Sequence, residues 1–196
     1  LELWPGALAP ERFGLEGERP LAVLHLAAAS RNKGIDPAKT LPTLHWLHRQ
    51  GYRIACTGLA ADAPTYEGLR SASGLPLANL AGRMALEELP GLLQRANLLL
   101  SLDSAPIHMA AAVGTPSIVG VYGATNERQW APWDPVGRIR FEPVYLSLPC
   151  RPCHAKECAT NQCREGLSAG QVLAAVQRIL PGPEAIGGLP VLTAEP

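Results

Sequence analysis

Residues 103–108 place three chemically active side chains at the start of an alanine-rich segment. The stretch SLDSAPIHMAAAVGTP offers a carboxyl group at Asp103, a hydroxyl at Ser104 and an imidazole at His108. Asp103 or Ser104 can cap a helix here, and the free N–H groups of a helix N-terminus favour an anion. His108 follows about one turn later and can donate to a phosphate oxygen. The spacing predicts an anion site, although a bare D-S-x-x-x-H also fits an ordinary cap beside an unrelated histidine.

The elements around this stretch alternate between apolar strands and helices. Continuous apolar strands that alternate with helices predict a Rossmann-like α/β fold, a parallel sheet with helices on both faces. Ligands of such sheets bind at the carboxyl ends of the strands, where residues 103–108 would lie. The predicted strands are 21–26, 52–58, 77–82, 97–103 and 117–123. The predicted helices are 37–50, 63–72, 86–96, 108–114 and 168–180.

Composition limits the classes of protein that this chain can represent. With 196 residues and 47% hydrophobic content, the chain can bury a substantial core. Its formal net charge of zero argues against a nucleic-acid reader, which binds largely by neutralising phosphates. We predict an interdomain linker at 1–20, one domain at 21–180 with a cysteine-rich loop at 149–164, and a Pro/Gly-rich tail at 181–196.

The segment SLDSAPIHMAAAVGTPSIVGVYGATNERQWAP resembles the hallmark of glycosyltransferase family 9, the ADP-heptose:lipopolysaccharide heptosyltransferases. The family pattern is a strand, D-[ST]-[GA]-x-x-H, an alanine-rich helix, G-T-P, a second strand and [FY]-G-x-T. Ten positions match it in order: Asp103, Ser104, Ala105, His108, Gly114, Thr115, Pro116, Tyr122, Gly123 and Thr125. The segments LHLAAASRNKG and LAGRMALEELPGLLQRA extend the resemblance over roughly residues 21–180.

The resemblance assigns roles to individual residues. It implies that the donor diphosphate is bound by Asp103, Ser104, Ala105, His108, Lys33 and Thr125. KGIDP stands where the family usually has Lys-x-Trp-Pro, a departure next to Lys33. Met84 falls where the family contacts adenine, and the ribose is commonly held by an acidic residue after the second strand, either Asp62 or Glu67.

The resemblance also implies an architecture and a reaction. Family 9 enzymes have the GT-B architecture, and this chain resembles the C-terminal, nucleotide-sugar-binding half. The general base and acceptor site then belong to a missing N-terminal domain, so no catalytic residue is assigned here. The implied reaction transfers heptose from ADP-heptose, with inversion, to lipopolysaccharide inner core or a related lipid-linked glycan. The implied location is the cytoplasm, peripheral to the inner membrane, and no cofactor is expected for catalysis.

Four cysteines form a separate cluster with the spacing C-x2-C-x4-C-x4-C. They are Cys150, Cys153, Cys158 and Cys163, whereas Cys56 lies apart in an apolar strand. The spacing is compatible with structural zinc, an iron–sulfur cluster, paired disulfides or free thiols. CRPCH also matches a c-type haem attachment pattern. Because similar stretches occur in family 9, the resemblance favours a structural staple for the loop that leads to the last helix.

Two other functions fit a fold of this class. A nucleotide-binding module without catalysis, such as a degenerate homologue, would preserve the same elements. A dinucleotide oxidoreductase would require G-x-G-x-x-G after the first strand, and AAASRNKG lacks two of those glycines. The sequence therefore favours a glycosyltransferase donor-binding domain over both.

Overall fold

The computed structural model describes residues 10–27, 34–155 and 158–180. Short 3-10 turns precede several helices, at Pro10–Phe13, Pro37–Thr40, Ala60–Asp62 and Leu86–Glu88. The strands are β1 (Leu21–His25), β2 (Arg53–Cys56), β3 (Ala78–Asn79), β4 (Leu98–Leu102), β5 (Ser117–Val121) and β6 (Arg140–Val144). The helices are α1 (Leu41–Arg49), α2 (Ala63–Ser73), α3 (Leu89–Arg95), α4 (Ala105–Val113), α5 (Gln162–Glu165) and α6 (Ala169–Ile179).

The six strands form one parallel sheet in the order β3-β2-β1-β4-β5-β6. This order reverses direction between β1 and β4, because the chain first builds outward through β2 and β3 and then returns to the other side of β1. In open α/β sheets the crevice at such a switch point is the usual ligand site. The α/β fold predicted from the sequence is confirmed.

Helices cover both faces of the sheet because successive strand residues point to opposite sides. In β1, Ala22 and Leu24 join a core with residues of α1, α2 and α6. Leu21 and Val23 join the opposite core with residues of α3 and α4. The central strands β4 and β5 are buried at every position, which explains why their sequences are continuously apolar.

Two elements are absent from the sequence prediction. Strand β6 has the sequence RFEPV, and only Val144 of it is buried. It pairs with β5 alone and forms an edge of the sheet, where a proline such as Pro143 is tolerated. The four-residue helix α5 follows the cysteine-rich loop, and its Cys163 is buried.

Residues 10–20, predicted as part of a linker, pack against the domain. Phe13 and Leu15 are buried in the core on the α3/α4 face. The Arg53 guanidinium donates to the backbone carbonyls of Glu16, Gly17 and Arg19 and so fastens this segment to the amino end of β2. The predicted tail at 181–196 and Lys33 lie outside the described residues. Within the described ranges, none of the helices has the length and apolar character needed to cross a membrane.

Candidate functional site

A cavity of about 440 Å³ opens at the carboxyl edge of the sheet, at the switch point between β1 and β4. Side chains from three loops and from the first turn of α4 line it. The polar lining comes from His25, Thr57, Asp62 and Ser104. The apolar lining includes Leu59, Leu80, Met84, Leu86 and Leu89. The cavity thus brings Met84, Asp62, Ser104 and Ala105, four of the predicted site residues, to one place.

Hydrogen bonds between the ends of β1 and β2 fix the floor of the cavity. His25 Nδ1 lies 2.9 Å from the Thr57 hydroxyl oxygen. The buried hydroxyl of Tyr66, on α2, donates to Thr57 O and accepts from Leu26 N, each at 2.8 Å. Burial lowers the pKa of His25 to about 4, against an opposing effect of Asp62. His25 is therefore neutral at pH 7 and offers a ligand no positive charge.

The structure distinguishes the two acidic candidates for the ribose. Asp62 ends the 3-10 turn after β2, and its Oδ2 accepts from Leu59 N at 2.7 Å, which holds the carboxylate at the cavity wall. Glu67 lies on α2 outside the cavity lining. Its carboxylate accepts from Asn79 Nδ2 at 2.8 Å and pairs with Arg70 at 2.5 Å. Of the two residues, only Asp62 faces the cavity.

A close approach of two loops builds the opposite wall. Gly82 N donates to Gly58 O at 3.0 Å, so the loop after β3 runs directly against the loop after β2. Gly82 has φ +71°, and a Cβ there would lie 2.6 Å from Ala60 Cα, so only glycine fits. This contact brings Met84 into the cavity lining, while Leu59 and Leu86 are 76% and 70% exposed at its rim.

The segment before β1 braces the same wall from outside. The Arg12 guanidinium pairs with Glu88 at 2.9 Å and donates to Arg83 O at 2.9 Å. The Glu88 carboxylate in turn accepts from Ala85 N at 2.8 Å. Residues 83–88, which carry Met84, are therefore held at both ends. Sequence reasoning assigned Arg12 to a linker and gave it no role.

The first turn of α4 forms the side of the cavity nearest β4. Ser104 occupies the N-cap position, but its hydroxyl donates back to Leu102 O at 3.1 Å and caps no N–H group of the helix. Pro106 lies in the first turn, as predicted, and lacks an N–H group in any case. The first N–H groups of a helix have no partner within it. The end of α4 that faces the cavity can therefore accommodate an anion.

Asp103 and Thr125 form a buried pair behind this helix end. Asp103 is 3% exposed, and its Oδ2 accepts from the Thr125 hydroxyl at 2.6 Å. Asp103 N donates to Val121 O at 3.0 Å, which joins the end of β4 to the end of β5. Both residues are thus placed beside the predicted diphosphate site and link the β5 loop to the start of α4.

His108 faces a different depression from Ser104 and Ala105. It is exposed and lines a cleft of about 620 Å³ on the flank of α4, together with Trp133, Val136 and Arg138. This cleft is larger than the cavity at the switch point, but it extends away from the strand ends along α4 towards Gly114. The structure therefore brings His108 to the edge of the predicted diphosphate site rather than into the cavity.

The cysteine-rich loop packs on the segment that carries Thr125. Cys153 N and His154 N both donate to Ala124 O, at 3.0 and 3.1 Å. The Arg151 side chain is only 5% exposed and donates to carbonyls of the same segment. The loop is thus attached to the β5 side of the site through its backbone and one arginine.

The four thiols of this loop do not form a metal centre in the described residues. Within 10–27, 34–155 and 158–180, no three histidine, cysteine or acidic side chains are arranged to hold a metal ion. All the cysteines are free thiols. Burial raises the pKa of Cys163, and charge on Cys153 and Cys158 raises it further, so these three lie near one another. Structural zinc or an iron–sulfur cluster at these cysteines therefore stays a prediction from their spacing.

The strand order defines a Rossmann-like α/β domain with a cavity at the switch point of its carboxyl edge. The model of "Glycosyltransferase family 9 (heptosyltransferase)" matches residues 7–163. The chain belongs to this family, as its DSAPIH and YGAT motifs indicated.

Similar proteins agree with this assignment. The chain is 32% identical over 153 residues to Lipopolysaccharide heptosyltransferase 3 of Escherichia coli. The aligned residues cover 74% of this chain and 43% of that protein. The solved E. coli ADP-heptose lps heptosyltransferase II superposes with a TM-score of 0.68 at 20% identity, covering 87% of this chain and 49% of that one. A family 9 structure from Veillonella parvula gives a TM-score of 0.69, 20% identity and coverage of 87% and 49%. The chain thus spans less than half the length of these relatives.

Proposed function

We propose that this chain is the donor-binding half of an inverting heptosyltransferase and that the cavity at the switch point binds ADP-heptose. The observation that carries the proposal is the juxtaposition, in one cavity, of an apolar wall at Met84, a carboxylate at Asp62 and the N-terminus of α4. These match the three parts of a nucleoside diphosphate. A similar solved protein is described as an ADP-heptose heptosyltransferase, which supports ADP-heptose as the donor.

Each part of the donor has a group of suitable chemistry. Adenine packs between Met84 and the leucines of the rim, because a planar apolar base matches an apolar slot. Asp62 accepts hydrogen bonds from the ribose hydroxyls. The diphosphate lies at the start of α4, where the N–H groups near Ser104 and Ala105 are directed, with His108 at the edge of this site. The family pattern adds Lys33, which lies outside the described residues. Asp103 and Thr125 support this helix end from behind.

The chemical contribution of this half is stabilisation of the leaving group. When an acceptor hydroxyl attacks the anomeric carbon, the bond to the diphosphate breaks and negative charge grows on the departing ADP. Donors that are already in place at the start of α4 meet that charge without reorganisation. The chain covers 43% of the heptosyltransferase that it matches. We assign the general base and the acceptor site, for a lipopolysaccharide core glycan at the membrane surface, to a second domain.

Titration calorimetry with ADP, UDP, GDP and NAD tests the site directly. We expect selective ADP binding that weakens about tenfold in Asp62→Asn, because one charge-assisted hydrogen bond is lost. Glu67→Gln is the matched control, an acidic residue five positions along that faces away from the cavity, and it should bind ADP normally. Absence of binding to all four nucleotides, or equal weakening in both variants, would contradict the proposal.

Heptose transfer by the full-length protein separates an enzyme from a nucleotide-binding module without catalysis. An active enzyme should convert ADP-heptose to ADP only when a lipid-linked acceptor is supplied. Binding of ADP-heptose without transfer would support the degenerate module instead. Metal analysis of the purified protein tests the separate prediction, based on spacing, that the four cysteines hold structural zinc or iron.

A further inference from the structure

Arg151 is a nearly buried arginine that no motif of the site predicts. Its side chain is 5% exposed, although arginine is normally found at the surface. The guanidinium donates to the backbone carbonyl oxygens of Gly123, Leu146 and Thr125. It also pairs with Glu127 at 3.3 Å and lies 4.7 Å from the centre of the Tyr145 ring. All of its nitrogens are thus engaged.

The partners of Arg151 belong mainly to one short segment, residues 123–127, which follows β5. This segment carries Thr125, whose hydroxyl donates to Asp103. Arg151 accordingly holds the carbonyl of the residue whose side chain reaches the end of β4. Ala124 O, between the two bonded carbonyls, accepts from Cys153 N and His154 N. Three consecutive carbonyls of the segment are therefore held by the cysteine-rich loop.

The chemistry of these bonds requires arginine. A planar guanidinium with five donors can reach several carbonyls in fixed directions, whereas a lysine ammonium is a compact donor on a flexible stem. Burying this cation is costly unless its hydrogen bonds are satisfied, and here they are. The arrangement joins two loops without adding apolar core, so its effect is on the position of residues 123–127.

We propose that Arg151 is a positioning residue for the donor diphosphate: it sets the geometry of the Asp103–Thr125 pair behind the start of α4. The proposal rests on the proposed function, because it requires that the diphosphate binds at that helix end. It also gives the cysteine-rich loop a role in the site, since Cys150 and Cys153 flank the arginine and the loop backbone holds Ala124.

The test compares ADP with adenosine, which lacks the diphosphate. In Arg151→Lys we expect ADP to bind about tenfold more weakly and adenosine to bind as in the original protein. Arg53→Lys is the matched control. Arg53 also donates to several backbone carbonyls, of Glu16, Gly17 and Arg19, but at the amino end of the sheet. It should leave both ligands unaffected even where the melting temperature falls.

A milder variant keeps the test decisive if Arg151→Lys fails to fold. Glu127→Gln removes the ion pair and leaves the hydrogen bonds from Arg151 to the backbone carbonyl oxygens. It should weaken ADP binding by about threefold without changing adenosine binding. Loss of ADP and adenosine affinity together, or unchanged ADP affinity in a folded Arg151→Lys, would overturn the positioning role. If the original protein binds no ADP, the proposed function fails. The role toward the diphosphate then fails with it, whereas the contact of Arg151 with residues 123–127 is tested separately by hydrogen exchange: faster exchange at 123–127 in Arg151→Lys supports that contact as the one that holds the segment, and unchanged exchange overturns it.

Discussion

The two sides of the carboxyl edge of the sheet are built in different ways. On the β1–β3 side, the wall formed by the loop after β3 is apolar, and close backbone contact between the loops after β2 and β3 shapes it. On the β5 side, side chains hold the loop to its neighbours: Thr125 bonds to Asp103, and Arg151 bonds to Gly123 and Thr125. Shape suits the recognition of a flat base, whereas fixed donors suit a charged group, so the two constructions agree with the proposed positions of the base and the diphosphate.

This difference predicts that the two sides respond differently to substitution. A change of volume should be most harmful on the side where backbones touch. A change of hydrogen bonding should be most harmful on the side where side chains make the links.

The largest effect is expected from Gly82→Ala on the apolar side. The added Cβ would lie 2.6 Å from Ala60 Cα, on backbone that cannot move aside cheaply, at φ +71°. We expect the free energy of unfolding to fall by about 3 kcal/mol in a denaturant titration, with loss of ADP binding. Gly51→Ala is the control, since Gly51 has φ +83° and no atom within 4 Å; its cost should be limited to about 1 kcal/mol. Equal costs for the two variants would refute the steric argument.

Thr125→Val tests the polar side at nearly constant volume. It removes a hydrogen bond of 2.6 Å to the buried Asp103 carboxyl and should lower the free energy of unfolding by about 2.5 kcal/mol. Thr125→Ser keeps the hydroxyl and should retain most of the stability. Thermal and urea unfolding of the three proteins measure this. A valine variant as stable as the threonine form would show that the hydrogen bond contributes nothing.

The pH dependence of stability tests the cavity floor. Burial lowers the pKa of His25 to about 4, whereas the pKa of a histidine in an unfolded chain is about 6.5. Between these values the unfolded chain binds more protons, so the free energy of unfolding falls as the pH drops from 7 to 5, by about 2 kcal/mol. His25→Gln should lose this part of the slope, and His48→Gln, at an exposed histidine of α1, should keep it. An unchanged slope in His25→Gln would mean that His25 is not the group responsible.

The smallest effect concerns the thiols of the cysteine-rich loop. Hydrogen bonds from Asn161 N and the Thr160 hydroxyl lower the pKa of Cys158, whereas burial raises the pKa of Cys163. Cys158 should therefore react with maleimide before Cys163 at pH 7, because the thiolate is the nucleophile. Thr160→Val should slow the labelling of Cys158 by about threefold, because one hydrogen bond to the thiolate is lost. Mass spectrometry of the labelled peptides gives the order, and faster labelling of Cys163 would contradict it.

The fold could be predicted because its main signals are local. The runs at 97–103 and 117–123 are largely apolar, since β4 and β5 are buried on both faces. Strand β6 could not be found in this way. Its residues Arg140, Glu142 and Pro143 carry no apolar periodicity, because an edge strand gains its place by pairing with β5 rather than by burial.

The site could be predicted only in part. The helix start at Ser104 followed from the residues of the motif, and Met84 followed from the resemblance to the family. The choice between Asp62 and Glu67 required the three-dimensional structure, because a 3-10 turn directs one carboxylate to the cavity and α2 carries the other away. Arg151 gave no signal, since its function depends on backbone carbonyls and any residue type can provide those.

The ion pair between Arg12 and Glu88 has a consequence for how the domain communicates with the chain before it. Arg12 lies in the turn Pro10–Phe13, and Glu88 ends the loop that presents Met84 to the cavity. A ligand that fixes this loop also restrains the turn Pro10–Phe13 through the ion pair. By thermodynamic reciprocity, a partner that fixes this turn changes the affinity for the proposed nucleotide, and the nucleotide changes the affinity for that partner by the same factor.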